Sequence, residues 1–515
     1  MSGSTKYLFI LVALLLTACS HPSVPSASQL AGRLPQLQPD YVDVTIPVNL
    51  CPLNFGVMED CDRVVARLSC GNLSYTYGNG KVVDIDADEW KELTHEAQDG
   101  DIKVEVWTRQ HDGNWLQYEP FAIHVSAYEI DSYLTYRLIP PSYVAYEEII
   151  IEQRDLTSFD TREIYNTRKV IDNEHGQCIN CHSFQNYRTD RWLFHARKDW
   201  GGTIISDHGH IRKLNLKRPE TISAGVYPAW HPELNLVAFS TNKTAQLFHT
   251  KDLGKIEVFD AASDLILYDP ETNEVTTISN REDQLECFPT WSPDGKWLYF
   301  TSANVPFDIH AADPTQEAMI RYDSIRYDLC RKSFDPATRQ WGETEMVYEA
   351  SADSMSVSLP RLSPDGHRLV FAMGSWGCFH VWHADADIYM IDVDSIPAKT
   401  EALENISETP ETVGKKSVRP HPLKALNSDR SESYPTFSSN GHWVMTASRR
   451  VDGNYTRPYI AHFDPATGQC AKPFEVPQHS PAFYDRGFKS FNRPEFTIEP
   501  IRNNCNDIAH AILNQ

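Results

Sequence analysis

The sequence predicts an all-β chain: an N-terminal immunoglobulin-like β-sandwich followed by a five- to six-bladed β-propeller. Three observations carry that expectation. Short alternating apolar runs broken by turn residues fill positions 41–127, a strand–turn–strand unit recurs four times from Tyr227 onward, and a degenerate copy precedes those four. The chain has 515 residues, 41% of them hydrophobic and 23% charged, which is enough length for two or three units and enough apolar surface for a buried core. A formal net charge of −23 leaves no basic stripe to neutralise phosphates, so nucleic acid is excluded as a partner.

Residues 1–19 read as a lipoprotein signal peptide. One positive charge, Lys6, precedes an apolar run from Tyr7 to Leu16, which is about ten residues, whereas a spanning helix needs about twenty. Leu16-Thr17-Ala18-Cys19 resembles the bacterial lipobox, and that resemblance implies acylation of Cys19 and membrane attachment through an N-terminal lipid. An ordinary signal peptide with an incidental cysteine is the alternative. Residues 20–40, rich in Ser, Pro, Gln and Leu, read as a tether.

In the sandwich region, 41–127, the alternating runs are Val42 to Ile46, Val64 to Leu68, Ile102 to Val106 and Phe121 to Val125, with turns at Gly78-Asn79-Gly80 and Asp112-Gly113-Asn114. Residues 128–176 show no clear period and read as a linker. The propeller is expected over 177–500, with a tail at 501–515. Its repeat units begin Tyr227-Pro228-Ala229-Trp230, Phe288-Pro289-Thr290-Trp291, Leu359-Pro360-Arg361-Leu362 and Tyr434-Pro435-Thr436-Phe437. Each then carries a turn such as Pro293-Asp294-Gly295 or Ser439-Asn440-Gly441 and a second apolar strand. Residues His182 to Ala196 form the degenerate copy. The run Phe288 to Lys296 resembles the TolB-type propeller repeat. That resemblance spans about 177–470 and implies the fold, but it names no activity, because such propellers host binders, peptidase gates and scaffolds alike.

The chemistry-bearing motif is Cys178-Ile179-Asn180-Cys181-His182. Two thiols at this spacing reach both vinyl groups of a haem while the adjacent imidazole reaches the iron, which is the c-type attachment signature. The expectation is one covalent haem c, bound through Cys178 and Cys181, with His182 as proximal iron ligand, on a loop at the entrance of the first blade. A redox dithiol, a disulfide and a zinc site compete with it. For a sixth ligand, His249 or His195 leads; His310, His380, His383, Met355 and Met373 share that face. His231, His367 and His442 belong to the tight turns, and His208 and His210 to another turn of the far face, so strand length separates all five from the iron. No Gly-x-Ser-x-Gly or His-Glu-x-x-His pattern appears. The expected function is electron transfer or redox sensing in the bacterial cell envelope, on the periplasmic side, with redox or envelope proteins as partners. A binding scaffold with structural haem or none, and a haem peroxidase-like enzyme, are the alternatives.

Overall fold

A computed structural model describes residues 22–78, 80–141, 148–252, 254–397 and 418–514. Cys19 and the expected signal peptide lie outside the described residues. The chain divides into two units, one running to Glu129 and taking back Pro477–Arg486, the other made of Ile130–Val476 and Gly487–Gln515.

The first unit holds a seven-stranded sheet built on Arg63–Cys70 and Gly100–Arg109, and a three-stranded sheet of Leu37–Gln38, Phe55–Val57 and Val82–Val83. The alternation read from the sequence is the in/out pattern of these strands: in Phe121–Ser126, Phe121, Ile123 and Val125 are buried while Ala122 and His124 are half-exposed. A helix, Ala87–Glu96, was not expected. Asp86 caps it by accepting from the backbone N–H groups of Asp88 and Glu89, and Trp90 and Leu93 supply its buried side.

Six blades make up the second unit among the described residues. Blade 1 is Gln177–Gln185, Arg188–Lys198, Gly202–Asp207 and His210–Leu214; blade 2 is Val226–Trp230, Val237–Phe248, Ile256–Asp269 and Glu274–Ser279. Blade 3 is Gln284–Trp291, Trp297–Asn304, Asp328–Asp335 and Gln340–Tyr348; blade 4 is Ser356–Leu362, Arg368–Gly374, Asp387–Asp392 and His421–Pro422. Blade 5 is Glu432–Phe437, Trp443–Ser448 and Arg457–Asp464, with the short Gln469–Cys470 and Phe474–Glu475. The turns fold as their residues require. In blade 3 Ser292 Oγ donates to Asp294 Oδ1 at 2.5 Å, and Gly295 takes φ 66° and donates its N–H to Ser292 O.

Blade 6 corrects the linker reading of 128–176. Its inner strand is Ser490–Thr497, and its next three strands are Tyr133–Ile139, Ile150–Asp155 and Thr161–Asn166. The alternation in these strands is hard to see because polar residues sit inside: Thr135, Gln153 and Arg154 are all buried. Tyr136 meets Phe491 edge-on at 4.9 Å across the pairing that closes the ring. The expected tail contains the helix Cys505–Leu513, whose Ile508, Ala509 and Ile512 join the core of Phe184, Trp192 and Phe194.

Candidate functional site

Each inner strand carries one residue in left-handed conformation: Cys181 (φ 54°), Tyr227 (50°), Phe288 (51°), Leu359 (55°), Tyr434 (50°) and Arg493 (50°). The pairing register skips that residue and the next one in every blade, so the next residue needs no ladder hydrogen bond. Five blades place proline there, at Pro228, Pro289, Pro360, Pro435 and Pro494, as a missing N–H allows. Blade 1 places His182. The haem motif, expected on a loop, lies instead inside the inner strand Gln177–Gln185, paired on both sides of the bulge with an eleven-residue neighbour, Arg188–Lys198.

Cys178 and Cys181 are half-buried free thiols, and both line one cavity of 660 Å³. Arg137 pins the strand between them: its Nη1 donates to Ile179 O and to Asn180 Oδ1, both at 2.6 Å. The wall is completed by inner-strand residues Tyr227, Tyr434 and Asn492, the extended hairpin of blade 2 and the Phe379–Trp382 loop. A second cavity, of 500 Å³, is lined by the turns at Ser292-Pro293, Ser363-Pro364 and Ser439. Between them the x-Pro-x bulges of blades 2 to 6 enclose only 50 Å³.

His182 is 1% exposed and does not form part of the wall around the thiols. Its ring lies 6.0 Å from that of Phe184, and its Nε2 is buried without a hydrogen-bond partner. Burial, followed by the charges of Arg493 and Arg137, pushes its pKa well below the usual imidazole value, so it is neutral. The two thiols on a large cavity fit the attachment of a c-type haem, while His182, neutral and next to Cys181 in the strand, lies outside the wall that they line. A zinc site would need more ligands than the two thiols, and no cluster of three His, Cys, Asp or Glu side chains suited to a metal occurs among the described residues.

Other sequence-singled residues are dispersed. His195 pairs across from Asn180, is buried with Nδ1 3.4 Å from Thr203 Oγ1, and is pushed down to about 3, chiefly by burial and then by Arg197. His249 sits at the hairpin tip of blade 2, its N–H on Lys255 O at 2.9 Å, and His310 is exposed. Both ring nitrogens of His380 are engaged, with Ser358 Oγ and Trp376 O at 2.9 Å each. His383 Nε2 is 2.8 Å from Glu257 Oε2. Met355 packs, partly buried, against the core that contains the buried Met373. None of these lines the cavity of Cys178 and Cys181. Of the turn histidines, His231 binds Gly295 O through Nε2 at 3.1 Å, His367 pairs with Asp394 and His442 stacks with His462.

Sequence reasoning missed the cations of the wall. Arg137, Arg197, Lys198, Lys255 and Arg449 line it with no carboxylate among the described lining residues, although the chain carries 70 acidic residues against 47 basic ones. Arg449 is 3% exposed; its Nε donates to Val381 O at 2.6 Å, its Nη1 to Asn454 O, and its guanidinium lies 3.4 Å over the Trp382 ring. Burial lowers its pKa to about 9. No spacing rule could have gathered residues from blades 6, 1, 2 and 5.

The six blades, of which the second and third are joined in one eight-stranded sheet, define the chain as a β-propeller protein with an additional β-rich unit. No protein-family model matches it, and no curated protein matches it. Among solved structures it is similar to puromycin hydrolase (11% identity over 66% of this chain and 45% of that one, TM-score 0.36). It is also similar to an oligogalacturonate lyase in complex with manganese (12%, 71% and 86%, TM-score 0.30) and to Kuenenia stuttgartiensis hydrazine synthase (10%, 71% and 93%, TM-score 0.33). The chain thus spans less than half the length of the puromycin hydrolase it matches. Likenesses this distant carry no argument about activity.

Proposed function

We propose that this chain is a c-type haem protein, in which a TolB-type propeller carries one covalent haem on Cys178 and Cys181 with His182 as iron ligand. Its role is electron transfer or redox sensing at the bacterial cell envelope, with attachment through a lipid on Cys19 and redox or envelope proteins as partners. One observation supports the reading above all: both thiols of the motif open on the same 660 Å³ cavity. The repeat run Phe288 to Lys296 supports the TolB-type assignment.

When bound, the haem supplies reversible one-electron exchange. The chain's own residues do the rest. Arg137 fixes the strand so that both thiols stay on the cavity side, burial and the neighbouring guanidinium groups keep His182 unprotonated, and the apolar part of the wall limits water. Full-length protein from a haem-maturation-competent host should give a pyridine haemochrome spectrum and a mass gain of one haem. Absence of both would overturn the proposal.

A second reading is a haem peroxidase-like enzyme: apart from the proposed His182, which itself lies outside the wall, the described wall residues offer no histidine or methionine as a further iron ligand. Rapid spectral change on mixing with peroxide would select it, and an inert spectrum would reject it.

A further inference from the structure

A buried guanidinium that no carboxylate hydrogen-bonds is costly, and this cavity gathers one such group, on which Asp452 acts only through its field, with four more cations. Arg449 has only carbonyl oxygens and the Trp382 face as partners. Arg137 likewise bonds only a carbonyl and an amide oxygen. Arg197, Lys198 and Lys255 make no hydrogen bond or ion pair through their side chains to any described residue, although Arg197 acts on the buried Asp260 through its charge, and the described residues of the wall include no Asp or Glu. In a chain with a net charge of −23, five cations gathered on described wall residues that include no carboxylate are an arrangement for an anion. Beside uncharged polar residues such as Asn180, Thr244 and Asn492, the wall carries an apolar and aromatic part that includes Ile256, Phe379, Val381 and Trp382. An occupant that satisfies both parts has a flat apolar body and carboxylates at its edge.

We infer that Arg137, Arg197, Lys198, Lys255 and Arg449 form a carboxylate-binding site that recognises a tetrapyrrole dicarboxylate through its acid groups, independently of the bonds to Cys178 and Cys181. The inference rests on the haem reading for the identity of the body and extends it to residues outside the motif. Charge-assisted contacts to guanidinium and ammonium groups supply the affinity, and the thioether bonds make it permanent.

The test uses the full chain with Cys178→Ala and Cys181→Ala, so that no covalent bond forms, titrated with metal-free protoporphyrin IX and with its dimethyl ester, read by porphyrin fluorescence. The diacid should bind at least about tenfold tighter than the diester, and more weakly as salt rises. Arg449→Met should reduce diacid binding about tenfold and diester binding by clearly less. Because Arg449 also holds two backbone carbonyls, Lys198→Asn with Lys255→Gln provides a second variant that touches no buried bond; it should reduce diacid binding about threefold or more. Equal binding of diacid and diester, or no loss in either cation variant, would overturn the inference. If the native protein carries no haem while the thiol-free chain still prefers the diacid, the haem reading fails and the carboxylate site stands. If haem is attached but diacid and diester bind alike, the carboxylate site alone fails.

Discussion

Replacing His182 by proline should stabilise the haem-free protein. The position follows a left-handed residue and is skipped by the strand register in all six blades, and five of them already hold proline there. Three terms set the magnitude. The unpaired buried Nε2 costs about 1–3 kcal/mol, and its removal recovers that amount. Proline at a compatible backbone position adds about 0.4–1 kcal/mol by restricting the unfolded chain. Exchanging an imidazole for a pyrrolidine ring leaves a void of about 30 Å³, a loss of about 0.7 kcal/mol at ~24 cal/mol per Å³. The sum is a gain of about 1–3 kcal/mol, whereas His182→Ala, with a larger void of about 70 Å³, should be close to neutral. Urea unfolding followed by tryptophan fluorescence on the full-length apo-protein measures both variants. With two structural units, the midpoint of the propeller transition is the quantity to compare. A loss of more than about 1 kcal/mol in His182→Pro would refute the argument, since it would mean that the imidazole is a structural member of the ring.

Removal of the thiols with Cys178→Ala and Cys181→Ala should abolish covalent haem, read as mass, without changing the circular dichroism of the chain. Phe491→Ala, at the ring-closing pair with Tyr136, should cost about 3–5 kcal/mol in urea unfolding; a loss under 1 kcal/mol would mean that the closing strand contributes little. His195 binds its proton at about 3 when folded and at about 6.5 when unfolded, so the unfolded chain takes up the extra proton as pH falls between those values. Its contribution is therefore intact above about 6.5 and is lost by up to ~1.4 kcal/mol per pH unit below that; His195→Gln should flatten the urea-midpoint profile between pH 6 and about 4, and an unaltered profile would contradict the burial assignment. Cys19→Ala should move the protein from the membrane to the soluble fraction, and retention in high salt would count against lipid attachment.

Five blades were legible because each keeps its aromatic-Pro or, in blade 4, Leu359-Pro360 signature and tight turn, or in blade 1 a recognisable strand after Cys181-His182, within one continuous stretch. The sixth was not. Its signature is Arg493-Pro494-Glu495-Phe496, with no Pro-Asp-Gly turn after it, because its next strand comes from Tyr133–Ile139 at the other side of the sequence. The helix at Ala87–Glu96 had a readable cap in Asp86 and apolar spacing at Trp90 and Leu93, but the alternating runs around it drew the reading towards strands. The haem motif was visible as chemistry, while its place in a strand depended on pairing with Arg188–Lys198, which is tertiary information. The cations at 137, 197, 198, 255 and 449 share no spacing, and only the closed ring brings them together.

The closing pair has a thermodynamic consequence. Gln153 of blade 6 donates to Thr497, 344 positions later, so the seam of the ring joins distant parts of the chain and forms only after a large loop has been ordered. The two inner strands at that seam also furnish cavity wall, through Arg137 and Ile139 on one side and Ser490 and Asn492 on the other. Occupation of the cavity and fastening of the clasp are therefore linked equilibria. Any molecule that binds only the fastened ring tightens it by RT ln(1 + [L]/Kd), about 2.7 kcal/mol at a hundredfold excess over Kd. Conversely, an opened seam removes part of its own binding site, so ligand release and unfastening favour one another.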